Sequence, residues 1–251
     1  MSFLAPSFDT PGTCARSARD LIVFDRLLRG RPCLGGIPEP GTLLERSFVF
    51  DADMFDDVLI EPAVRAMLEA VRRRLEKAGA RVSVRRIKAF HDAMDATSQG
   101  WISSAETFAV LEHIVNDPHK AALMDQRIRK RVELNRTLDP ALLARTNMAR
   151  EYLDTELRRE LGGDVLILPT VGHSALLLND ILNSEDMFFK YIRLNVRLTI
   201  PGNLLNTPGV SLPAGLDEEG MPLGVTLYRP AGCDEEILQA ALAAEEAIVY
   251  V

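Results

Sequence analysis

Asp164-Val165-Leu166-Ile167-Leu168-Pro169-Thr170 is the stretch that decides the fold. Four consecutive apolar residues, Val165 to Leu168, follow Gly162-Gly163 and run into a proline. An unbroken apolar run of this kind, bounded by turn residues, is the pattern of a strand buried on both faces of a helix-covered sheet. Pro169 has no N–H to give to a ladder, so the strand is expected to end there and the chain to leave as a loop. In open α/β sheets ligands bind beyond the carboxyl ends of the strands. Thr170 and the loop after it are therefore candidate site residues.

Upstream, Leu43 to Phe50 reads as a strand, and Pro62 sits where a first helical residue is tolerated. A helix from there to Ala78 is expected to turn Val64, Met67, Leu68, Val71 and Leu75 inward. Gly79 ends it, and Arg81-Val-Ser-Val-Arg85 alternates like a second strand. This strand–helix–strand unit marks an α/β protein. A helix capped by Thr13 is expected through Leu28, with Leu21, Phe24, Leu27 and Leu28 as its buried stripe. Arg31 to Gly41 is a loop. Ser103 and Glu106 have capping-box spacing ahead of Phe108, and Asp139-Pro140 opens a long helix through Leu161. Val171 to Asn183 lacks a pattern and reads as a loop, followed by a helix from Ser184 to about Arg197. Val210–Pro213 and Leu223–Tyr228 are two strands joined through a turn at 217–220, and Asp234 caps a final amphipathic helix.

Several of these segments carry a resemblance. Asp164 with its aliphatic run, Pro169 and Thr170 is one; Asn203 with Pro208-Gly-Val-Ser-Leu-Pro-Ala-Gly215 is a second; Gly220-Met-Pro-Leu-Gly-Val-Thr-Leu227 is a third. With Ser7-Phe-Asp-Thr-Pro-Gly12 and Ala15-Arg-Ser-Ala18 they resemble, in order and interval, the C-terminal half of an amidase-signature enzyme. The resemblance implies one partial amidase-like domain over residues 1–251: a mixed β-sheet with helices on both faces, as in the C-terminal part of that family's α/β/α sandwich. It also implies hydrolysis of amide bonds in the intact family, through a Ser nucleophile, a bridging Ser and a Lys base. Thr170, His173, Asn203 and Asn206 would then help shape the substrate cleft. The family's Lys, Gly-Gly-Ser-Ser and nucleophile signature would precede Met1. Asn206-Thr207 stand before Pro208 where the family usually has a glycine.

The remaining chemistry is sparse. Lys77, Lys88, Lys120, Lys130 and Lys190 all lie beside other charges in amphipathic stretches and read as solvated, so none is assigned as a base. Ser103-Ser104 read as helix-capping residues, and no Gly-x-Ser-x-Gly elbow occurs. No catalytic residue is assigned. His91, His113 and His119 show no metal-ligand spacing, and neither metal nor cofactor is expected. His173 reads either as a cavity-lining residue or as an exposed loop residue; Asn203 reads either as cleft wall or as turn scaffold. With 47% hydrophobic and 26% charged residues the composition is that of a globular protein. A net charge of −7 and basic clusters without stacking aromatics argue against nucleic acid. No apolar run is long enough to span a membrane, and three unpaired-looking cysteines fit a cytoplasmic protein.

The expected function is accordingly an amidase-family scaffold for a small amide substrate that does not catalyse alone. The alternative is a non-catalytic binding or regulatory relative using the retained cleft. A half-sheet would leave an edge and an apolar face wet, at about 1.5–3 kcal/mol per large side chain, against a net domain stability of about 5–15 kcal/mol. The chain is therefore expected to pair with a complementary chain, to self-associate, or to be marginally stable.

Overall fold

The computed structural model describes residues 3–31, 36, 39–98 and 102–249. Their elements run α1 (Ala18–Leu28), β1 (Ser47–Asp51), α2 (Pro62–Lys77), β2 (Arg81–Arg85), α3 (Lys88–Thr97), α4 (Ile102–Val115), α5 (Pro118–Ala121), α6 (Gln126–Leu134) and α7 (Pro140–Leu161). Then come β3 (Val165–Pro169), α8 (Leu178–Leu182), α9 (Glu185–Val196), α10 (Ile200–Leu204), β4 (Gly209–Leu216), β5 (Pro222–Tyr228) and α11 (Asp234–Ile248). The strands form one mixed sheet in the order β2-β1-β3-β5-β4, parallel from β2 to β3 and antiparallel from β3 to β4.

Every residue of β3 is buried, as its apolar run requires. It lies between parallel β1, whose Phe48, Val49 and Phe50 are fully buried, and antiparallel β5. Pro169 is tolerated because of where its missing donor points. Thr170 N–H bonds the Gly224 carbonyl at 2.9 Å, so by antiparallel alternation Pro169 turns its backbone toward β1. There the ladder has already stopped at Phe50↔Ile167.

On one face, α2 buries Val64, Met67, Leu68, Val71 and Leu75, the five inward positions of its periodicity. Beside it α11 covers Val210 and Leu212 of β4. The other face meets α3, whose Phe90 ring lies 5.9 Å from Tyr228, and α3 packs in turn on α7 and α10. Asp139 caps α7 by accepting from Ala141 N–H, and Gly162, with φ 53°, ends it.

Several boundaries differ from the sequence reading. The first helix starts at Ala18, not after Thr13. Ser17 Oγ caps it by accepting from Asp20 N–H, and Ala18 N–H bonds Glu245 of α11 at 2.7 Å, which fixes the start on that helix. Its buried line is Ala18 and Ile22, against α11; Phe24, Leu27 and Leu28 are 45%, 58% and 62% exposed. A 3-10 turn at Leu43–Glu45 delays the first strand to Ser47. Ser103 is not a cap: α4 is already under way at Ile102, and the Glu106 carboxylate accepts from Ser7 N–H instead. The loop after β3 contains α8, and Asp234 is the first residue of α11 rather than its cap. Of the 31–41 loop, residues 32–35 and 37–38 lie outside the described residues.

Candidate functional site

A cleft of about 390 Å³ opens at the start of β4, between α1, the α10–β4 turn and the N-terminus of α11. The extended Thr10–Thr13 segment forms one wall, and Asn203 and Asn206 face it. The turn that presents both asparagines is tightly built. Asn206 sits at φ 54°, the left-handed conformation in which asparagine is tolerated after a helix end. Asn206 N–H reaches the Asn203 carbonyl at 3.2 Å, and Thr207 N–H the Gly202 carbonyl at 2.9 Å. A Cβ on Gly202 would stand 2.8 Å from Thr207 Oγ1 and 3.0 Å from the Tyr228 ring, so only glycine fits. Both asparagine side chains are exposed, and neither amide has a protein partner among the described residues. Asp25 and Asp234 line the same cleft and share Arg29, each at 2.8 Å.

Thr170 lies outside this cleft but is wired toward it. Its hydroxyl meets Thr226 Oγ1 at 2.8 Å, and Thr226 Oγ1 meets Ser211 Oγ at 2.8 Å, a row of three hydroxyls across β3, β5 and β4. Gly209 and Gly224 make room for it: a Cβ at Gly224 would stand 3.3 Å from Thr170 Oγ1, and one at Gly209 3.3 Å from Thr226 Cγ2. Gly209 also lines the cleft, so the row ends one residue from the cleft wall. Burial pushes the neighbouring Tyr228 phenol up to about 12, which keeps it neutral.

His173 is neither exposed nor in the cleft. It is buried edge-on to Tyr191, with ring centroids 5.5 Å apart, and its Nδ1 lies 2.8 Å from the Ser174 carbonyl. Its Nε2 is buried without a partner. The loop is held by Glu61, whose N–H bonds the Gly172 carbonyl at 2.7 Å and whose carboxylate accepts from Ser174 N–H at 2.9 Å. A hydrogen bond from Ser174 holds the Asp217 carboxyl below the usual range, tying the loop to the β4–β5 turn as well. The four candidate positions therefore fall in three places: Asn203 and Asn206 in the cleft, Thr170 beside it, His173 in packed structure.

The sequence reading missed a buried carboxylate at the end of β1. Asp51 accepts from Asp53 N–H at 3.0 Å, Ile87 N–H at 2.8 Å and His91 Nε2 at 2.9 Å. The Asp51 hydrogen bond raises the His91 pKa, against a smaller opposing effect of burial. The carboxylates of Asp51 and Asp53 and the His91 ring cluster closely enough to hold a cation. Yet Asp51 is already engaged by two backbone amides and an imidazole, so the arrangement acts as a clamp that fixes the start of α3. No short spacing in the sequence signals it. All five lysines are exposed, and Lys88, Lys120 and Lys130 pair with Asp92, Asp117 and Glu185.

Comparison with known proteins adds a family. A family model described as Amidase matches residues 48–238. The chain is 28% identical over 253 residues to 2-amino-5-chloromuconic acid deaminase of Comamonas testosteroni, covering 98% of this chain and 52% of that protein. It is 27% identical over 265 residues to mandelamide hydrolase of Pseudomonas putida, covering 95% and 50%. A solved structure titled "Crystal structure of amidase" superposes with a TM-score of 0.79 at 21% identity, covering 98% of this chain and 54% of that one. The chain thus spans about half the length of the relatives it matches.

Proposed function

The chain belongs to the amidase family, and from that premise we propose that it supplies the walls and framework of a centre hydrolysing a small carboxamide. In this reading the reactive serines and lysine come from polypeptide outside these 251 residues. The observation that carries it is the cleft at the start of β4. Asn203 and Asn206 present two unengaged side-chain amides there, each both donor and acceptor. A carboxamide has the same pair of groups and is matched by them. The exposed lysines support the second half of the reading, because a lysine base must be kept neutral by burial or by neighbours. The three cysteines, two of them free among the described residues, fit a reducing cytoplasmic setting. No described helix is long and apolar enough to cross a membrane.

The test is titration of mandelamide into the isotopically labelled chain, with ammonia release followed in parallel. The expected result is shifts at Asn203, Asn206 and Gly209, lost in Asn203→Leu, with no ammonia above background. Ammonia release by the chain alone would refute the division of labour. Shifts that survive Asn203→Leu would move the substrate elsewhere.

A further inference from the structure

Three side chains able to ligate a metal converge where β1 ends. Asp51 closes the strand, Asp53 follows in the 3-10 turn Ala52–Phe55, and His91 lies on α3. His91 Nε2 stands 2.9 Å from Asp51 Oδ1 and 3.6 Å from Asp53 Oδ2, and the three ligand atoms all lie within 4.8 Å of one another. Zinc bonds to imidazole nitrogen and carboxylate oxygen of about 2.0–2.2 Å put neighbouring ligands of a tetrahedral site about 3.3–3.6 Å apart. The Asp53 distance matches that spacing. The Asp51–His91 pair has to open by only a few tenths of an ångström.

The hydrogen-bonded clamp accounts for Asp51 and His91 but has no use for the Asp53 carboxylate, which faces the imidazole at a distance too long for a hydrogen bond. The two amides on Asp51 do not compete with an ion. Asp53 N–H takes Oδ1 and Ile87 N–H takes Oδ2, and each carboxylate oxygen has two lone pairs. These amides instead aim the buried carboxylate, as hydrogen bonds to ligating groups do in metal centres. Arg86 opposes a second cation, because it pairs with Asp53 Oδ2 at 3.1 Å. Its side chain is 59% exposed, however, and a solvated pair of that kind is weak enough to yield.

We propose that Asp51, Asp53 and His91 bind a divalent first-row transition ion of the zinc class, with water in the fourth position. Two carboxylates balance the charge of the ion. The imidazole favours zinc over magnesium and calcium, which take about six or more oxygen ligands. The ion would staple the end of β1 to α3. Phe90, next to His91, packs on Tyr228, and the Tyr228 ring closes on Gly202 and Gly209 at the cleft. Binding therefore braces the helix behind the cleft wall; that consequence rests on the amidase reading, whereas the binding does not.

Binding is measured without substrate, so its failure and the failure of the amidase reading are separable. Zinc chloride is titrated into the isotopically labelled chain at about pH 8, above the ordinary histidine range. The expected result is a one-to-one isotherm, with a large shift of the His91 Nε2 resonance and slower hydrogen exchange at Ile87 N–H. Magnesium chloride at the same concentration should produce neither. Asp53→Ala removes one ligand while keeping the Asp51–His91 hydrogen bond, and it should weaken zinc binding at least about tenfold. His91→Gln should weaken it as well; if that variant unfolds, Asp53→Ala decides the matter. Combined Cys14→Ser, Cys33→Ser and Cys233→Ser should leave the isotherm unchanged. An unmoved His91 resonance, a shift that magnesium reproduces, or equal affinity in Asp53→Ala would each overturn the proposal. Loss of binding in the folded triple serine variant would overturn it in favour of thiol ligands.

Discussion

The two edges of this sheet are defended differently. β2 is five residues long, with Arg81 and Arg85 at its ends, and Arg85 is held by Asp164 at 3.0 Å and by the Glu160 carbonyl. A short, basic strand is a common way to blunt an edge against further pairing. β4 is eight residues long and uncharged, and its regular pairing is interrupted at Pro213 and by the register shift between Pro213 and Gly215. The flanks behind the edges differ in the same sense. The apolar pattern of α2 finds its core completely; of the equally regular stripe of α1, only Leu21 packs on the core, while Phe24, Leu27 and Leu28 are left in water. Amphipathic spacing therefore tells which residues are suited to burial, not whether this chain contains what buries them.

The contrast is most easily broken by paired truncations. Phe50→Ala, in the fully buried centre of β1, is expected to cost about 3–5 kcal/mol in urea unfolding. Leu28→Ala, on the exposed stripe, should stay within about 0.5 kcal/mol. A large loss at Leu28 would mean that α1 is covered in solution, and the two flanks would no longer differ.

Two smaller changes examine how the closed core supports the open cleft. Gly202→Ala drives a Cβ against Thr207 Oγ1 and the buried Tyr228 ring, so a loss of about 1–3 kcal/mol is expected. The same variant should shift the Asn203 and Asn206 resonances, because that turn presents them. Thr226→Val removes the middle of the hydroxyl row and leaves Thr170 and Ser211 without their shared partner. Its expected cost is about 1–2 kcal/mol. A loss beyond the Gly202→Ala value would show that the row, rather than the turn, holds the cleft wall.

What the sequence made legible follows from how local each signal was. β3, α2, α7 and the β4–β5 hairpin were readable because periodicity, proline and glycine act within a few residues. The errors came where a distant residue intervened. Glu245 fixes the start of α1, and Ser7 occupies the Glu106 carboxylate that a capping box would need. The site divides in the same way. Asn203 and Asn206 belong to a single turn, so their closeness in space was legible from the sequence. His173 was misjudged because Tyr191 and Glu61, far along the chain, bury and brace its loop. The Asp51–His91 clamp spans forty residues and left no trace in the pattern.

That clamp also supplies the smallest expected effect, and one that should be confined to the closed flank. Asp51 raises the His91 pKa, with Asp53 adding to it and Arg86 opposing it. A raised folded-state pKa means that the protonated imidazole is favoured in the native state. Its stabilisation is complete below the unfolded value, about 6.5, and is lost as pH rises through the folded one. The urea midpoint should therefore decline as pH rises above about 6.5, and His91→Gln, which keeps a hydrogen-bonding group but cannot titrate, should flatten that decline. Exchange at Ile87 N–H, which bonds the other Asp51 oxygen, should quicken over the same interval, while Gly209 and Ser211 at the open edge should show no such step. A step at both places would mean that the two flanks unfold as one unit and that the difference between them is one of exposure alone.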